Sequence, residues 1–209
     1  MGDEKKPLER RFHNCEVRAL PSENGSIITG RPIVYNSRTD LGWFDEIIEP
    51  GALDQADLTD VRFLVNHNTD MIPLARSRNN NENSTMQMTV GEDGMTIRVD
   101  LDTENNADAK ALYSAVSRGD ISGMSFMFTV DGDTWEDMES DHPTRRINKI
   151  SRVFEVSAVT FPAYAQTSIQ ARGLSEALDS AKDSLESAKA TQRMIERQKR
   201  KIRILMEVS

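Results

Sequence analysis

The chain has 209 residues, of which 37% are hydrophobic and 29% are charged, and its formal net charge is −8. This length allows one domain with a sizeable core, and the negative charge argues against non-specific binding of nucleic acid. The single cysteine, Cys15, excludes an internal disulfide and a cysteine-based zinc site. No apolar run has the length of a transmembrane helix, and the charged N-terminus lacks the apolar region of a signal peptide, so neither is predicted.

A charged leader precedes a body that is predicted to be mostly β-strand. Residues 1–9 form the leader and are expected to be disordered. Alternating apolar and polar residues over Met86–Val90 and Met95–Asp102 predict two strands, which Gly91–Gly94 joins as a hairpin. Further strands are predicted at 12–20, 27–35, 44–49, 61–67, 124–130, 146–150 and 152–160. The acidic stretch Asp131–Thr144 is predicted to be a loop or hairpin tip.

One helix is predicted within this β-rich body, over Ala107–Arg118. Asn106 precedes it as an N-cap residue and Gly119 ends it. The helix leads directly into the predicted strand that carries Ser125, so its placement bears on the position of that serine.

Residues 173–209 are predicted to form a long amphipathic helix or coiled coil. Ten positions follow a strict 4-3 spacing, which we call the heptad seam: Leu174, Leu178, Ala181, Leu185, Ala188, Gln192, Ile195, Lys199, Ile202 and Met206. A single helix cannot bury such a stripe, so it is expected to pack on the body, on a copy of itself or on another protein. Thr191–Ser209 carries +4, which leaves −12 for the rest of the chain. That charge fits either a solvated helical face or a docking tail for an acidic partner.

Three side chains suited to acyl transfer lie in separate apolar, strand-like runs: His67, Ser125 and Glu155. A serine hydroxyl is a weak nucleophile until a base takes its proton, and the base works best when a third group orients it. The two other histidines are less suited as the base, because His13 lies near the leader and His142 lies in the acidic stretch. Each of the three side chains also has an interpretation without catalysis. Ser125 can be a serine on the outer face of a strand, His67 a structural histidine, and Glu155 part of a solvated polar face.

Other site chemistries have little support in the sequence. Met127 stands where an α/β-hydrolase elbow would have its second glycine. No His-Glu-x-x-His motif, calcium loop or glycine-rich phosphate loop is present. No metal and no cofactor are therefore predicted.

Three segments resemble one known family. They are the strand ending in Asn66-His67-Asn68, the stretch Arg118–Phe126, and the block Glu155–Tyr164. Together they resemble the prohead maturation proteases of tailed bacteriophages, which are related to the herpesvirus assemblins. The resemblance covers about residues 10–172.

The resemblance implies an α+β, mainly β fold for residues 10–172, an assemblin-like β-barrel with flanking helices. The helical or coiled-coil tail predicted from the 4-3 spacing follows it. It implies a serine endopeptidase of the Ser-His-Glu type, with Ser125 as nucleophile, His67 as base and Glu155 as the third member. Assemblins use a second histidine in that third place, which keeps His142 as the alternative.

The resemblance also implies which proteins are cleaved, namely scaffold protein, or the capsid protein's scaffolding segment, and the protease itself. This would take place inside the procapsid, in the cytoplasm of the bacterial host. Expected partners are capsid or scaffold protein and further copies of the chain, as a dimer or higher oligomer, without nucleic acid or membrane. Backbone amides of Ala163 and Tyr164, or near Ser125, could form the oxyanion hole.

Two alternatives from other functional classes remain open at this point. One is a non-catalytic scaffolding or assembly protein that combines a β domain with a coiled-coil arm. The other is an esterase or another acyl transferase that uses the same three residues. A scaffolding protein has no need of a histidine, a serine and a carboxylate on strands, so their meeting in space would favour an enzyme.

Overall fold

Eleven strands and two helices form in the computed structural model, which describes residues 8–13, 17–22, 25–160 and 171–207. In chain order they are β1 (Glu9–His13), β2 (Arg18–Ser22), β3 (Gly25–Val34), β4 (Arg38–Asp40), β5 (Asp45–Ile48), β6 (Val61–Val65), β7 (Ala75–Ser77), β8 (Met86–Gly91), β9 (Gly94–Leu101), α1 (Ala107–Arg118), β10 (Gly123–Glu136), β11 (Thr144–Val159) and α2 (Ala171–Glu207). Glu9, the last residue of the predicted leader, is therefore part of the first strand, and residues 1–7 lie outside the described part of the chain.

The 16-residue strand β11 organises the larger sheet. Its beginning pairs in parallel with β5 and its end pairs in parallel with β6, while β10 runs antiparallel along it. β1 pairs with β10, β4 with β5 and β7 with β6, which gives seven strands. The second sheet is antiparallel throughout, in the order β2-β3-β9-β8.

Both sheets and α1 contribute to one hydrophobic core. The alternation that predicted β9 places Met95, Ile97, Val99 and Leu101 in this core, each at most 3% exposed. The larger sheet contributes residues such as Phe126, which is fully buried. Removal of this apolar surface from water is the main favourable contribution to folding.

The strand pairing does not form the closed barrel that the resemblance implies. Within the described residues, the strands pair into two sheets that no ladder joins. The sheets are linked where the Thr85 N–H donates to the Arg76 carbonyl at 3.0 Å and the Asp100 N–H donates to the Thr85 carbonyl at 2.9 Å. Within the described strands, the three-residue β7 pairs with β6 and makes no ladder with β8.

The predicted acidic loop or hairpin tip, Asp131–Thr144, is strand over half of its length, because β10 extends through Glu136 and β11 begins at Thr144. Its charges are paired across the hairpin and so do not prevent strand formation. Lys149 lies 3.0 Å from Asp131, and the Arg145 Nε–H donates to Asp133 at 2.6 Å. Residues 137–143 alone connect the two strands.

Other strand predictions differ from the structure in extent. The strand predicted at 12–20 is two strands, β1 and β2, which belong to different sheets. The strand predicted at 61–67 ends at Val65. The three-residue strands β4 and β7 were not predicted, since such short segments show no periodicity.

Helix α1 has the predicted bounds and caps. The Asn106 side chain accepts hydrogen bonds from the N–H groups of Asp108 and Ala109. Gly119 ends the helix with φ 78°, a left-handed conformation that glycine adopts without steric cost. Leu112 is buried in the core and anchors the helix there.

Helix α2 packs on the body along its first half. Ala181 and Leu185 of the heptad seam are 0% and 7% exposed, against Phe44 and Trp135. The Trp135 indole N–H also donates to Ser184 Oγ at 3.0 Å. The seam residues Leu178, Ala181, Leu185 and Ala188 are thus packed against the chain itself.

The second half of α2 is exposed on all sides, since every side chain from 191 to 203 is exposed. Ile195 and Ile202 of the heptad seam are 46% and 58% exposed, and Met206 is 75% exposed. At 1.5 Å per residue this part extends on the order of 25 Å. None of the described helices has the length and hydropathy needed to cross a membrane.

Candidate active site

Ser125 lies on β10 with a neighbouring strand on each edge, β1 on one side and β11 on the other. Phe126 and Phe128 point into the core and are fully buried. The sequence pattern places Ser125 on the outer face of the strand, with Met127 beside it as an apolar wall. Both are buried, at 3% and 4% exposure.

His67 lies in a turn directly after β6 and not on the strand itself. Asn66 and His67 have φ values of 54° and 56°, in the left-handed region that non-glycine residues seldom adopt. Two anchors hold this turn against the end of β11. The Asn66 N–H donates to the Ala158 carbonyl at 2.9 Å, and the Thr160 N–H donates to the Asn66 side chain at 2.9 Å. Left-handed residues with such support are frequent at functional sites.

The strand register explains why the three predicted side chains meet. Ser125 on β10 is the cross-strand partner of Ser157 on β11, and Glu155 lies two residues earlier on the same face of β11. β6 pairs with β11 on its other edge and ends at Val65, beside Ala158. The turn after β6 therefore brings His67 over this face of β11, between the other two side chains.

The imidazole of His67 bridges the serine and the carboxylate. His67 Nε2 lies 2.6 Å from Ser125 Oγ, and His67 Nδ1 lies 2.5 Å from Glu155 Oε1. A carboxylate can only accept, so Nδ1 carries the proton that faces Glu155 and Nε2 is left to accept from the serine hydroxyl. The His67 side chain is 11% exposed and that of Glu155 is 4% exposed. The three groups form one hydrogen-bonded line in a largely dry site.

The Ser125 hydroxyl has a second acceptor on β1. Ser125 Oγ lies 2.8 Å from the carbonyl oxygen of Arg11. The hydroxyl has one proton, so it donates either to this carbonyl or to His67 Nε2 at any moment. Strand β1 is therefore in direct contact with the reactive group of the candidate site.

Ser157 is a member of the site that the sequence pattern alone did not single out. Its side chain is fully buried, its hydroxyl donates to Glu155 Oε2 at 2.5 Å, and it accepts the backbone N–H of His67 at 3.1 Å. The signal in the sequence was its position two residues after Glu155, which places both side chains on one face of a strand.

His142, the alternative third member, faces a different carboxylate. His142 Nε2 lies 3.1 Å from Asp45 Oδ1, and the Arg38 guanidinium donates to Asp45 Oδ2 at 2.6 Å. Burial raises the pKa of Asp45, but the hydrogen bonds from His142 and Arg38 outweigh it and hold that pKa below its ordinary value. Within the described residues, Glu155 therefore occupies the place beside His67 Nδ1.

One group with metal-ligand chemistry is present among the described residues. Asp40, Asp45 and His142 offer ligand atoms within 4.8 Å of one another. Arg38 already pairs with Asp45, and a cation in that position disfavours a second one. The predicted oxyanion donors Ala163 and Tyr164 lie outside the described residues.

A buried ion cluster supports β1 beside Ser125. It consists of Glu9, Arg11, Glu46 and Arg145, each at most 4% exposed. Arg11 pairs with both carboxylates, and Arg145 donates to Glu9 at 2.9 Å and to Glu46 at 3.2 Å. Burial lowers the pKa of Arg11, but the charges of Glu46 and Glu9 outweigh it and raise that pKa. Burial raises the pKa of Glu46, but Arg11 and Arg145 outweigh it and lower that pKa.

Comparison with known proteins gives a family and structural relatives. Residues 13–183 match the family model described as caudovirus prohead serine protease. The chain is also similar to the solved structure of the bacteriophage T4 capsid assembly protease, gp21, with 13% identity and a TM-score of 0.39, over 74% of this chain and 99% of that chain. No curated protein matches the sequence. Because the family match covers well over half of the sequence, this chain belongs to the caudovirus prohead serine protease family.

Proposed function

We propose that this chain is a capsid-maturation serine endopeptidase in which Ser125 is the nucleophile, His67 the general base and Glu155 the group that orients the base. The continuous hydrogen-bonded line from Ser125 Oγ through the His67 ring to Glu155 is the observation that carries this proposal. Family membership supports the reaction class, and the geometry supports the choice of residues.

The first half-reaction forms an ester on Ser125. Ser125 Oγ attacks the carbonyl carbon of the scissile peptide bond while its proton moves to His67 Nε2, 2.6 Å away. The carbonyl electrons move to the oxygen, which gives a tetrahedral oxyanion, and the Glu155 carboxylate stabilises the imidazolium. The imidazolium then gives the proton to the leaving nitrogen as the carbon–nitrogen bond breaks, and the acyl group stays on Ser125.

The second half-reaction returns the enzyme to its starting state. Water gives a proton to His67 Nε2 and attacks the ester carbon, and the collapsing intermediate expels Ser125 Oγ, which regains a proton from the imidazolium. The oxyanion in both halves needs backbone donors. Ala163 and Tyr164 follow β11 closely in the sequence, and we propose their amides for this role.

We further propose that the substrate is scaffold protein or the capsid protein's scaffolding segment, and that the chain also cleaves itself. The reaction would take place inside the procapsid, in the cytoplasm of the bacterial host. Confinement with the substrate raises the effective concentration, so a tight fit at the active site is not required.

The exposed second half of α2 is the proposed element for association. It carries apolar residues of the heptad seam together with the +4 charge of the C-terminal segment. An amphipathic helix of this kind can bury its apolar stripe against a partner helix, from scaffold or capsid protein or from a second copy.

Labelling with a serine-directed fluorophosphonate tests the catalytic assignment. Intact mass spectrometry of the wild-type protein is expected to show one adduct, with the modified peptide containing Ser125. Ser125→Ala and His67→Ala are expected to remove the adduct. Ser122→Ala is the matched control, because Ser122 is an exposed serine three residues away, and this variant is expected to label normally.

Coexpression with the capsid and scaffold proteins of the same phage tests the substrate. Shortened products that form with the wild-type chain and are absent with Ser125→Ala support the endopeptidase. Identical band patterns from the two chains, together with an absence of labelling, would instead support a non-catalytic assembly protein.

A further inference from the structure

The geometry points to Ser157 as a positioning residue that fixes both the backbone and the ring of His67 relative to Glu155. This inference rests on the proposed function, because it assigns to Ser157 a role in the reaction of Ser125. Ser157 lies on β11, beside β10, where it is the cross-strand partner of Ser125.

The hydroxyl of Ser157 makes two hydrogen bonds within the site, one as donor and one as acceptor. It donates to Glu155 Oε2 at 2.5 Å and accepts the backbone N–H of His67 at 3.1 Å. A serine hydroxyl has one proton and two lone pairs, so both bonds form at the same time. The other carboxylate oxygen, Glu155 Oε1, takes the His67 Nδ1–H.

These bonds close a ring of interactions. The ring runs from the His67 backbone N–H to Ser157 Oγ, from its hydroxyl to Glu155 Oε2, across the carboxylate to Oε1, and back to His67 through Nδ1. Glu155 alone would fix the direction of the imidazole. The Ser157 hydroxyl also fixes the main chain from which the imidazole projects and the rotation of the carboxylate.

The conformation of His67 explains why this second support is needed. With φ at 56°, His67 lies in the left-handed region, where a residue with a Cβ is less stable than in the usual regions. Loss of the bond to the His67 N–H would let the turn relax and move Nε2 away from Ser125 Oγ. Small displacements of this kind reduce rates strongly, since attack needs close alignment of the reacting atoms.

Ser157 acts through other residues and does not touch the substrate. Its side chain is 0% exposed, and both of its hydrogen-bond partners belong to the site. Removal of its hydroxyl is therefore expected to lower kcat and to leave KM unchanged. A purely structural hydroxyl would change stability and neither kinetic constant.

Four variants separate these possibilities: Ser157→Ala, Ser157→Thr, Ser157→Cys and Ser151→Ala. Ser157→Ala is expected to lower kcat by about 10- to 100-fold, the range found when a metal ligand loses the partner that orients it. Ser157→Thr keeps the hydroxyl and is expected to recover most of this loss. Ser157→Cys fills the site with a slightly larger side chain that is a weaker donor, so it is expected to lower kcat as well, and it carries the same test if the alanine variant does not fold.

Ser151→Ala is the matched control. Ser151 lies on the same strand and its hydroxyl is hydrogen-bonded to Thr129 Oγ1 at 2.8 Å, away from the three site residues. This variant is expected to keep the wild-type kcat. Thermal melting of all four variants separates loss of fold from loss of positioning.

Proton NMR supplies a readout that does not depend on turnover. The Nδ1–H proton of His67, held against Glu155, is expected to give a resolved downfield signal in the wild-type protein and in Ser125→Ala. In Ser157→Ala this signal is expected to shift and broaden, and in Ser151→Ala it is expected to stay in place. A folded Ser157→Ala protein with unchanged kcat and an unchanged signal would overturn the inference.

The two proposals fail in different ways. If the catalytic assignment is wrong, the wild-type chain does not react with the fluorophosphonate and no variant alters turnover. If only the role of Ser157 is wrong, the wild-type chain labels on Ser125 and Ser157→Ala labels at the wild-type rate.

Discussion

At the scale of single residues, the charge of the Glu155 carboxylate is expected to contribute more to kcat than the shape of the side chain. Glu155→Gln keeps the side-chain volume but offers a neutral amide to His67 Nδ1, which removes the charge that stabilises the imidazolium. The amide can also favour the wrong imidazole tautomer. Replacement of the equivalent buried acid in serine proteases lowers kcat by about 10⁴-fold, and we expect a loss of that order in peptide hydrolysis.

Glu136→Gln is the control for this experiment. Glu136 is an exposed carboxylate that pairs with Arg146 on the β10–β11 hairpin, and exposed pairs of this kind contribute little to stability. Its variant is expected to keep the wild-type kcat. A Glu155→Gln enzyme with near-normal kcat would show that the third member of the site is not needed in ionised form.

The buried ion cluster gives the fold a defined dependence on pH. The pKa of Glu46 is held below its ordinary value of 4.5 in the folded chain, so its charged form is favoured by folding. Such a group stabilises the fold above pH 4.5, and this contribution is lost as the pH falls through the lower, folded-state pKa. Urea unfolding between pH 7 and pH 3 is therefore expected to show a free energy of unfolding that decreases below about pH 5.

Glu46→Gln assigns this acid sensitivity to the cluster. At pH 7 the variant leaves Arg11 with the carboxylate of Glu9, and Arg145 with those of Glu9 and Asp133, and breaking a buried pair costs about 3–5 kcal/mol. Its free energy of unfolding is also expected to depend less steeply on pH between 5 and 3. An unchanged slope would place the acid sensitivity on other carboxylates, such as Asp57 or Asp60, whose pKa values are also lowered.

At the scale of the element, the left-handed turn after β6 is expected to control both stability and rate. Asn66→Ala puts alanine, which adopts the left-handed region less readily than asparagine, at φ near 54° and removes the bonds to Thr160, so the free energy of unfolding is expected to fall by about 1–2 kcal/mol. Asn66→Gly removes the same bonds but accepts the backbone conformation, so it is expected to recover part of the loss. Both variants are expected to lower kcat, because His67 follows directly.

Asn79→Ala is the control for backbone strain alone. Asn79 is exposed and also left-handed, with φ 57°, but it lies outside the candidate site. This variant is expected to lose less stability than Asn66→Ala, because Asn66→Ala also loses the bonds to Thr160, and it is expected to keep the wild-type kcat. An equal loss of kcat in the Asn66 and Asn79 variants would show that the turn has no specific role in placing His67.

Individual strands and helices were predictable where an alternating apolar face specifies a strand or a capping residue specifies the end of a helix. Strict alternation predicted β9, and the residues Asn106 and Gly119 predicted both ends of α1. The position of His67 was not predictable to the same detail, because a left-handed turn depends on anchors from β11 that are distant in sequence. The extension of β10 was hidden by charges such as Asp133, whose partners are on the opposite strand.

At the scale of the whole molecule, the candidate site depends on pairings between segments that lie far apart in the chain. β6 and β11 are neighbours in parallel, although they are about ninety residues apart, and no local pattern specifies that pairing. The three side chains that meet here were proposed as site residues from their chemistry and from family resemblance, and their roles stay a prediction. The division into two sheets was not predicted, because it depends on which distant strands pair.

The two halves of α2 differ in exposure and charge, which indicates that they have different roles. The first half covers the body around Trp135, while the second half leaves the heptad seam exposed and carries the positive charge. A chain that ends after residue 190 therefore keeps every contact that α2 makes with Trp135 and Phe44, and it is expected to fold and to cleave a short peptide with wild-type kcat. The peptide is one that spans the cleavage site found by mass spectrometry of the coexpression products.

The same truncated chain is expected to cleave the intact scaffold or capsid substrate at least about 100-fold more slowly at low concentration, because docking contributes through effective concentration. Ile195→Gln combined with Ile202→Gln keeps the helix length and the charge but removes apolar contacts of the seam, so it is expected to show most of this loss. Adding salt to the wild-type reaction is expected to slow cleavage of the intact substrate and not of the peptide, since the basic residues of this segment are exposed and screened. Wild-type rates for the truncated chain on both substrates would mean that substrate selection lies wholly within the β-rich body, with the exposed helix serving another purpose.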